Sequence, residues 1–440
     1  MKKSNSISSH SSTSNLILIG SFIGLVSGLL AVAYRYAISQ IELIRLDLYL
    51  KKDPWTILIY ILSIGLITYI LKKLLTWAPF SNGSGIPQIK AEVMNQLDDQ
   101  PLPTIISKFF GGGLTALIGY SLGREGPSIQ MGGMAGKWIA QKFKLPTIDQ
   151  KYLMTAGASA GLSAAFNAPL AGILFAIEEI YGDISNSVII SSFSASIVAN
   201  FVSYTLMGYE TSFNFANYNH IPVEKFYILI ILGLLCGIIA VFFNRALIVF
   251  GSLIQRIKVP FSIKIFVISC LVLITGYALP QVLGGGHQLI EDLAHNPLPL
   301  SSIFILLFVK ICLTSVSYNA GVQGGIFLPV LVVGACSGAV VNGLLQSFLG
   351  LDSYLINCII LGMAGVLSGV VRAPLMSIIL ITEMTGSVSH FINLSLVAFI
   401  AMMTADLLKN PPVYHSLYDN LLLKIKKLSP IKRGQQEPLT

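Results

Sequence analysis

Hydrophobic residues along this 440-residue chain form long continuous stretches rather than the alternating pattern of surface strands. Four of these stretches contain no Asp, Glu, Lys or Arg, and they cover residues 152–177, 184–209, 265–290 and 311–351. A membrane-spanning helix needs about 20 apolar residues, whereas a membrane barrel would show short polar and apolar alternation. The pattern therefore predicts an all-α polytopic membrane protein with on the order of ten or more transmembrane helices.

Composition excludes several other classes of protein. Hydrophobic residues make up 54% of the chain and charged residues only 11%, whereas soluble domains carry about 25% charged residues. A soluble enzyme, a disordered chain and a disulfide-rich secreted domain are thereby excluded. The net charge of +8 comes mostly from basic residues near the two ends, which predicts that both termini are cytoplasmic. These charges form no stripe, so no nucleic-acid partner is expected.

The chain is predicted to form one domain with a short tail at each end. Residues 1–15 are rich in serine and are expected to be a disordered cytoplasmic tail. Residues 16–423 are expected to form a single transmembrane domain of two related halves, about 16–215 and 216–423. Residues 424–440 are expected to form a short basic cytoplasmic tail, too short for a regulatory domain.

An internal repeat supports the division into halves. Residues 157–178 align without a gap with residues 362–383 at an offset of 205, with eight identities that include a shared Ala-Pro-Leu. Upstream, Gly123–Gly126 is predicted to correspond to Gly321–Gly324, at an offset of 198. Membrane transporters are commonly built from such repeats, with the substrate site between them. Chance similarity between two helices rich in Ala, Gly and Leu is the alternative.

Four breaks rich in Gly or Pro interrupt the apolar stretches. They are Gly83–Pro87, Gly123–Pro127, Gly325–Pro329 and Asn410–Tyr414. Gly permits unusual backbone angles and Pro is favoured in the first turn of a helix, so each break is a candidate helix start. Helix starts expose unpaired N–H groups and a partial positive charge, which attract anions. A single break is more often an ordinary turn, but four together, two of them with a hydroxyl from Ser84 or Tyr414, favour an anion site.

Carboxylates within or beside apolar stretches are candidates for function, because a charge at the bilayer centre costs about 2.5–3.5 kcal/mol. These residues are Glu125, Glu178, Glu179 and Glu383. Glu178 and Glu383 occupy equivalent positions of the repeat, which indicates a structural role. Glu179 corresponds instead to Met384, so we expect a functional role for Glu179, with a solvated helix end as the alternative.

These features together resemble the CLC family of chloride channels and chloride/proton exchangers. Three of its motifs occur in full and in the family's order: GSGIP at Gly83–Pro87, GREGP at Gly123–Pro127 and GxFxP at Gly325–Pro329. The residues that carry the motifs are Gly83, Gly85, Pro87, Gly123, Arg124, Gly126, Pro127, Gly325 and Pro329, with Glu178 beside Glu179. The resemblance covers about residues 16–423. It implies an inverted repeat of about eighteen tilted, partly broken helices, assembled as a homodimer with one independent pathway per subunit.

The resemblance also implies which residues bind ions. The central chloride would be held by the hydroxyls of Ser84 and Tyr414 and by the backbone N–H groups of Ile326 and Phe327. Ser84 favours chloride, since fluoride-selective members differ at this motif and nitrate-selective members carry Pro. The implied partners are chloride, protons, the lipid bilayer and a second copy of the chain, without a metal or another cofactor. Many eukaryotic members add nucleotide-binding CBS domains, and the short tail predicted here lacks them, so regulation by ATP is not expected.

Two glutamates would couple chloride to protons. Glu125 would be the external gate, whose carboxylate occupies an anion position when charged, and Glu179 would pass protons to and from the cytoplasm. A structural ion pair with Arg124 is the alternative for Glu125. Channels of the family usually lack a glutamate at position 179, so the resemblance favours a chloride/proton antiporter of the cell membrane. A passive voltage- or pH-gated chloride channel of the same fold is the alternative.

An enzyme embedded in the membrane belongs to a different class of function. Such an enzyme would need a pattern such as HExxH, an Asp-rich run or Cys and His at metal-ligand spacing, and neither the six histidines nor the five cysteines show one. A structural scaffold would require neither four broken helices nor glutamates within apolar segments. The sequence therefore favours a transporter that is not an enzyme.

Overall fold

The computed structural model describes residues 12–51, 53–209, 211–213, 215, 221–296, 298–350 and 353–428. Within these ranges the chain folds into seventeen α-helices, and β-structure is limited to isolated bridges. In chain order the helices are α1 Thr13–Leu50, α2 Pro54–Trp77, α3 Ile86–Val93, α4 Pro101–Ile118, α5 Glu125–Lys142, α6 Thr147–Phe166, α7 Pro169–Phe175, α8 Asn186–Met207, α9 Tyr227–Arg256, α10 Phe261–Ala278, α11 His287–His295, α12 Leu300–Asn319, α13 Phe327–Leu349, α14 Leu355–Val371, α15 Pro374–Thr385, α16 Phe391–Leu407 and α17 Val413–Leu428. Single turns of 3-10 helix cover Pro79–Ser81, Val223–Lys225, Pro280–Val282 and Val388–His390, and a π-helical turn covers Ala176–Tyr181. The prediction of an all-α protein is confirmed.

The helices extend slightly beyond the limits expected for the transmembrane domain. α1 begins at Thr13 rather than at Leu16, because the Ser12 hydroxyl accepts a hydrogen bond from the Asn15 N–H at 3.3 Å and caps the helix. α17 continues as far as Leu428. The rest of the two expected tails, residues 1–11 and 429–440, lies outside the described residues.

Nine helices in the described ranges are long and apolar enough to cross a membrane. They are α1, α2, α4, α8, α9, α10, α12, α13 and α16. The others are shorter or more polar, because breaks such as the one at Asn167 divide an apolar stretch into two helices. Large apolar side chains face outward, among them Leu62 on α2, Ile274 on α10 and Ile392 on α16, which are 66%, 71% and 73% exposed. Such a surface suits lipid rather than water, and the prediction of a multi-pass membrane protein is confirmed.

α13 lies at the centre of the bundle. In an apolar 18-residue window of α13, 89% of the residues are buried, compared with 28% in the corresponding window of α2. The break that precedes α13 is therefore enclosed by protein rather than by lipid. Irregular backbone at membrane depth is tolerated only in such an environment or around a water-filled cavity.

The two halves of the chain repeat the same helices in the same order, α1–α8 and α9–α16, and α17 follows the second half. The residues that follow α6 and α14 are Asn167 (φ 56°) and Arg372 (φ 68°), and both adopt the left-handed conformation. An alanine follows in each half, and then Pro169 or Pro374 begins the next helix. Proline is tolerated there because the first N–H groups of a helix have no partner within it. The backbone thus repeats at the offset of 205 that the sequence indicates.

One part of the predicted repeat is wrong. Gly123–Gly126 corresponds to Gly325–Leu328 at an offset of 202, and not to Gly321–Gly324 at 198, because α5 begins at Glu125 and α13 begins at Phe327. Each of these helices has proline as its third residue. The glycines at 321 and 324 belong to the preceding turn, where both have positive φ. Matching glycine to glycine therefore shifts the alignment by four residues.

Glycines bring matching helix pairs of the two halves into close contact. Gly132 on α5 faces the backbone of Gly157 on α6, and Gly334 on α13 faces that of Gly362 on α14 in the same way. A Cβ atom at any of these positions would collide with the facing backbone. Small residues allow helices in membranes to pack at such short distances. The helices that begin at two of the breaks are thus held firmly against their neighbours.

Candidate functional site

Three of the four predicted breaks meet in the interior of the bundle. The Gly83 N–H donates to the carbonyl of Val322 at 2.9 Å, and the Gly324 N–H donates to the carbonyl of Gly83 at 3.1 Å. Gly123 and Gly325 exchange two backbone hydrogen bonds of 2.7 and 2.9 Å. These contacts bring the N-termini of α3, α5 and α13 together, although they are far apart in the chain.

Glycine is required where these three chain segments cross. A Cβ atom at Gly126 would lie 2.7 Å from the carbonyl oxygen of Ser84, and one at Gly325 would lie 3.1 Å from the Gly126 nitrogen. Gly85 adopts φ +89°, and a side chain there would also collide with Gln130. Larger residues would push the three helix starts apart. The glycines of the motifs are therefore explained by close backbone approach.

The first turns of α3, α5 and α13 have no side-chain cap. In α3 the Ile86 N–H makes only a long hydrogen bond of 3.4 Å to the Ser84 hydroxyl, and in the described structure no Ser, Thr, Asp or Asn side chain caps α5 or α13. Each helix also has proline in this turn, at Pro87, Pro127 and Pro329. Uncapped N–H groups and the positive ends of three helices form a site that suits an anion.

Glu125 places a carboxylate within this site. The residue is 1% exposed, and its carboxylate lies within hydrogen-bonding reach of the backbone N–H of Leu328, in the first turn of α13. Its Oε2 atom has no hydrogen-bond partner among the described residues. Arg124 Nε is 3.9 Å from Oε1, which is long for an ion pair. The carboxylate thus occupies a position where an anion would bind, and it is only weakly held there.

The predicted chloride ligands are all buried near one another. Ser84, Ile326, Phe327 and Tyr414 are each at most 1% exposed. Ser84 precedes α3, whereas Ile326 and Phe327 begin α13. The fourth break leads into α17, which packs against α3 and brings the Tyr414 hydroxyl toward this region.

Tyr318, in the last turn of α12, is a site residue that the sequence analysis missed. Its hydroxyl is hydrogen-bonded to Ser84, and it is the strongest electrostatic neighbour of the Tyr414 hydroxyl. Glu179 and Glu125 also act electrostatically on the Tyr414 hydroxyl, so Tyr414 lies near both glutamates. No motif marks Tyr318, because it is one aromatic residue within an apolar helix.

Glu179 lies on the π-helical turn Ala176–Tyr181 and is 4% exposed. Its Oε1 atom is 3.3 Å from the Nζ atom of Lys90 on α3. π-Helical turns are rare and are found mostly at functional sites. The equivalent residue of the second half, Met384, lies on the regular helix α15, so the two halves differ in both backbone and side chain at this position. Lys90 was also missed, because nothing in the sequence places it opposite Glu179.

The carboxylates of Glu178 and Glu383 accept hydrogen bonds from backbone N–H groups and are not part of the candidate anion site. Glu178 Oε2 accepts a hydrogen bond from the Met376 N–H at 2.9 Å. Glu383 accepts from the N–H groups of Leu170 and Ala171 at 3.1 and 2.8 Å. Each carboxylate therefore caps the first turn of the helix in the opposite half, which supports the structural role inferred from the repeat.

Two buried lysines hold the loops before α3 and α11. Lys108 Nζ donates to the carbonyls of Ser81 and Gly83 at 2.8 and 2.7 Å. Lys310 Nζ donates to the carbonyls of Val282 and Gly284, both at 2.9 Å. The first lysine thereby holds the carbonyls of the loop that contains Ser84. Within the described residues, no group of three or more His, Cys, Asp or Glu side chains is arranged to hold a metal ion.

Comparison with known proteins gives consistent similarities. The sequence profile of the family described as "Voltage gated chloride channel" matches residues 65–406. The H(+)/Cl(-) exchange transporter ClcA of Vibrio campbellii is 30% identical over 427 residues, which cover 93% of this chain and 90% of that protein. The protein of the same name from Citrobacter koseri is 29% identical over 426 residues, covering 93% of this chain and 89% of that protein. A solved structure described as a slow cyanobacterial Cl-/H+ antiporter has a TM-score of 0.87 and 26% sequence identity, covering 94% of this chain and 99% of that chain.

Proposed function

The chain belongs to the voltage-gated chloride channel (CLC) family, and from this membership we propose that it is a secondary active antiporter that exchanges chloride for protons across the cell membrane. Similar proteins that bear the name of a chloride/proton exchanger support the choice of ions. In this proposal the chain works as a homodimer in the lipid bilayer, with both termini cytoplasmic and one pathway in each subunit.

Chloride binds where the helix starts meet. The hydroxyls of Ser84 and Tyr414 and the N–H groups of Ile326 and Phe327 donate hydrogen bonds to it. These donors carry no full positive charge, and a site of this kind binds an anion weakly enough to release it. The uncapped first turn of α13 and the buried Ser84 hydroxyl beside the start of α3 support this assignment.

Glu125 is the external gate of this site. Its charged carboxylate is itself an anion and competes with chloride for the N–H groups at the start of α13. Protonation from the external solution neutralises the side chain, which leaves the site and allows chloride to enter. Because binding linkage is reciprocal, chloride favours protonation of Glu125 by the same factor by which protonation favours chloride. Chloride and protons consequently move in opposite directions.

Glu179 is the internal proton-transfer residue. Its carboxylate takes a proton from cytoplasmic water and passes it toward Glu125, with water bridging the distance. The electrostatic influence of both glutamates on the Tyr414 hydroxyl supports a shared route that passes close to the anion. Glu178, which caps α15, takes no part in this transfer.

One observation carries the proposal: the Glu125 carboxylate lies at the uncapped start of α13 with one oxygen unpartnered in the described structure. The test uses the purified protein in liposomes loaded with chloride and diluted into a low-chloride solution. Chloride efflux and external pH are recorded together. An antiporter raises the external pH as chloride leaves, because protons enter in exchange, and the rise persists when a proton gradient initially opposes it.

A passive chloride channel of the same fold is the second candidate, and the description of the matching family as voltage-gated chloride channels favours it. In a channel, chloride leaves the liposomes without any change of external pH. The reversal potential then follows the chloride gradient alone. A shift of the reversal potential with an imposed proton gradient excludes the channel.

A further inference from the structure

We propose that Lys90 is a positioning residue that holds Glu179 at the internal end of the proton route and links it to the helix that follows the chloride ligand Ser84. This inference rests on the proposed antiport function. It concerns how the proton-transfer group is kept in place, and it adds a residue that neither the motifs nor the repeat single out.

The contact between the two side chains is short and enclosed. Lys90 Nζ lies 3.3 Å from Glu179 Oε1, and the two residues are 8% and 4% exposed. Among the described residues, Nζ makes no other hydrogen bond. A buried ammonium group with a single acceptor restricts that carboxylate to a narrow range of positions. Lys90 thereby fixes the direction in which Glu179 points.

The backbone connects this pair directly to the anion site. Lys90 lies on α3, a helix of only eight residues that begins two residues after Ser84. The rise of an α-helix places Lys90 about 6 Å along the axis from the first residue, Ile86. The same helix packs against α17, which carries Tyr414, and against the π-helical turn of Glu179. A displacement of α3 would therefore move the chloride ligand and the partner of the proton-transfer residue together.

The second half of the chain shows that the fold does not need this pair. Gly85 and Gly286 precede α3 and α11 with matching φ values of 89° and 88°, so the position equivalent to Lys90 is Glu291. Glu291 interacts with His287 of its own helix at 3.5 Å, and Met384 occupies the position equivalent to Glu179. The same helices are thus built once with the ion pair and once without it.

Stability alone is a weak reason for burying this pair. The desolvation of two charges offsets most of their attraction, and apolar residues of similar size are often as stable. The π-helical turn is also held by Glu178, which binds the Met376 N–H. A role in positioning the Glu179 carboxylate explains why the charges are kept. When Glu179 accepts a proton from water, it loses its charge and with it the ion pair, so the neutral acid is free to turn toward Glu125.

The test compares Lys90→Met, Lys90→Arg and the double variant Lys90→Met/Glu179→Gln in liposomes, with chloride and proton fluxes recorded separately across a range of pH. Lys90→Met should lower the proton flux per chloride by about tenfold and change its pH profile, because a misplaced group transfers protons slowly. Lys90→Arg should restore the wild-type ratio to within about twofold, since it keeps the charge. The double variant should match Glu179→Gln alone, because Lys90 acts through Glu179.

Lys137→Met is the matched control. Lys137 is also a buried lysine paired with a glutamate of α3, since its Nζ lies 2.7 Å from Glu92 Oε2. This variant should keep the wild-type ratio of chloride to protons. If Lys90→Met keeps both the ratio and the pH profile of the wild type, or if Lys137→Met changes them equally, the positioning role is wrong while antiport stands. If the wild-type protein moves chloride without protons, the proposed function fails and this inference fails with it.

Discussion

Glu178 and Glu383 cap each other's helices: Glu178 binds the start of α15, which contains Glu383, and Glu383 binds the start of α7, which leads into the turn of Glu178. The two halves of the chain are thereby joined by a symmetric pair of charge-assisted hydrogen bonds. This arrangement separates Glu178 from its neighbour Glu179, which faces Lys90 instead. Two adjacent carboxylates consequently have different roles.

Replacing either capping glutamate by alanine should reduce stability and spare coupling. Glu178→Ala and Glu383→Ala should each lower the free energy of unfolding by about 1 kcal/mol, as expected for loss of an N-cap. Each carboxylate interacts with two N–H groups of the opposite helix, so losses of similar size are expected for the two variants. Thermal unfolding in detergent measures the effect. A folded variant with an altered chloride-to-proton ratio would contradict the structural assignment.

Glu125→Gln should abolish proton movement while chloride flux continues. The amide cannot gain or lose a proton, and it carries no charge that would compete with chloride at the start of α13. Simultaneous chloride and pH recordings in liposomes measure both fluxes. Proton uptake driven by a chloride gradient in this variant would show that Glu125 is not the gate.

Glu179→Gln should likewise stop protons and leave chloride flux intact, because Glu179 is not among the proposed chloride ligands. The neighbouring Glu178→Gln serves as the matched control and should remain coupled, since its amide oxygen can still accept the Met376 N–H. Loss of both fluxes in Glu179→Gln, with normal folding, would assign Glu179 a structural role instead.

Tyr318→Phe should weaken chloride binding. The variant removes the hydroxyl that is hydrogen-bonded to Ser84 and keeps the ring that packs beside it. The loss of one hydrogen bond of about 1 kcal/mol corresponds to about fivefold in affinity. Calorimetric titration with chloride measures this change. Tyr60→Phe is the control, because its hydroxyl donates at 2.7 Å to the carbonyl of Leu117, outside the anion site. Equal effects of both substitutions would argue against a role for Tyr318 in binding.

Local chemistry explains which parts of this arrangement the sequence could predict. Gly and Pro determine backbone conformation within a few residues, so the breaks before α3, α5 and α13 were identifiable, and so was the repeat around Pro169 and Pro374. The offset between α5 and α13 was predicted incorrectly because glycines occur both in the turn before α13 and directly before its first residues. The proline in the first turn is the better marker of register.

The partners of single polar residues were not predictable. Lys90 and Tyr318 each lie on helices whose neighbours are determined by the packing of distant segments, and their contacts join residues 90 with 179 and 318 with 84. The π-helical turn depends on the same long-range packing, since its residues would also suit a regular helix. A pattern of hydrophobic and polar positions contains no information about such pairings.

The glycine contacts that hold α5 against α6 and α13 against α14 have a consequence for turnover. These two tightly packed helix pairs leave little freedom for a rocking motion that would open a site first to one face of the bilayer and then to the other. In the proposed cycle, a few side chains such as Glu125 then rotate while the helices keep their positions. We expect the turnover rate to depend steeply on which side chains occupy those positions. It should depend very little on the length of the lipid acyl chains or on lateral pressure in the surrounding membrane.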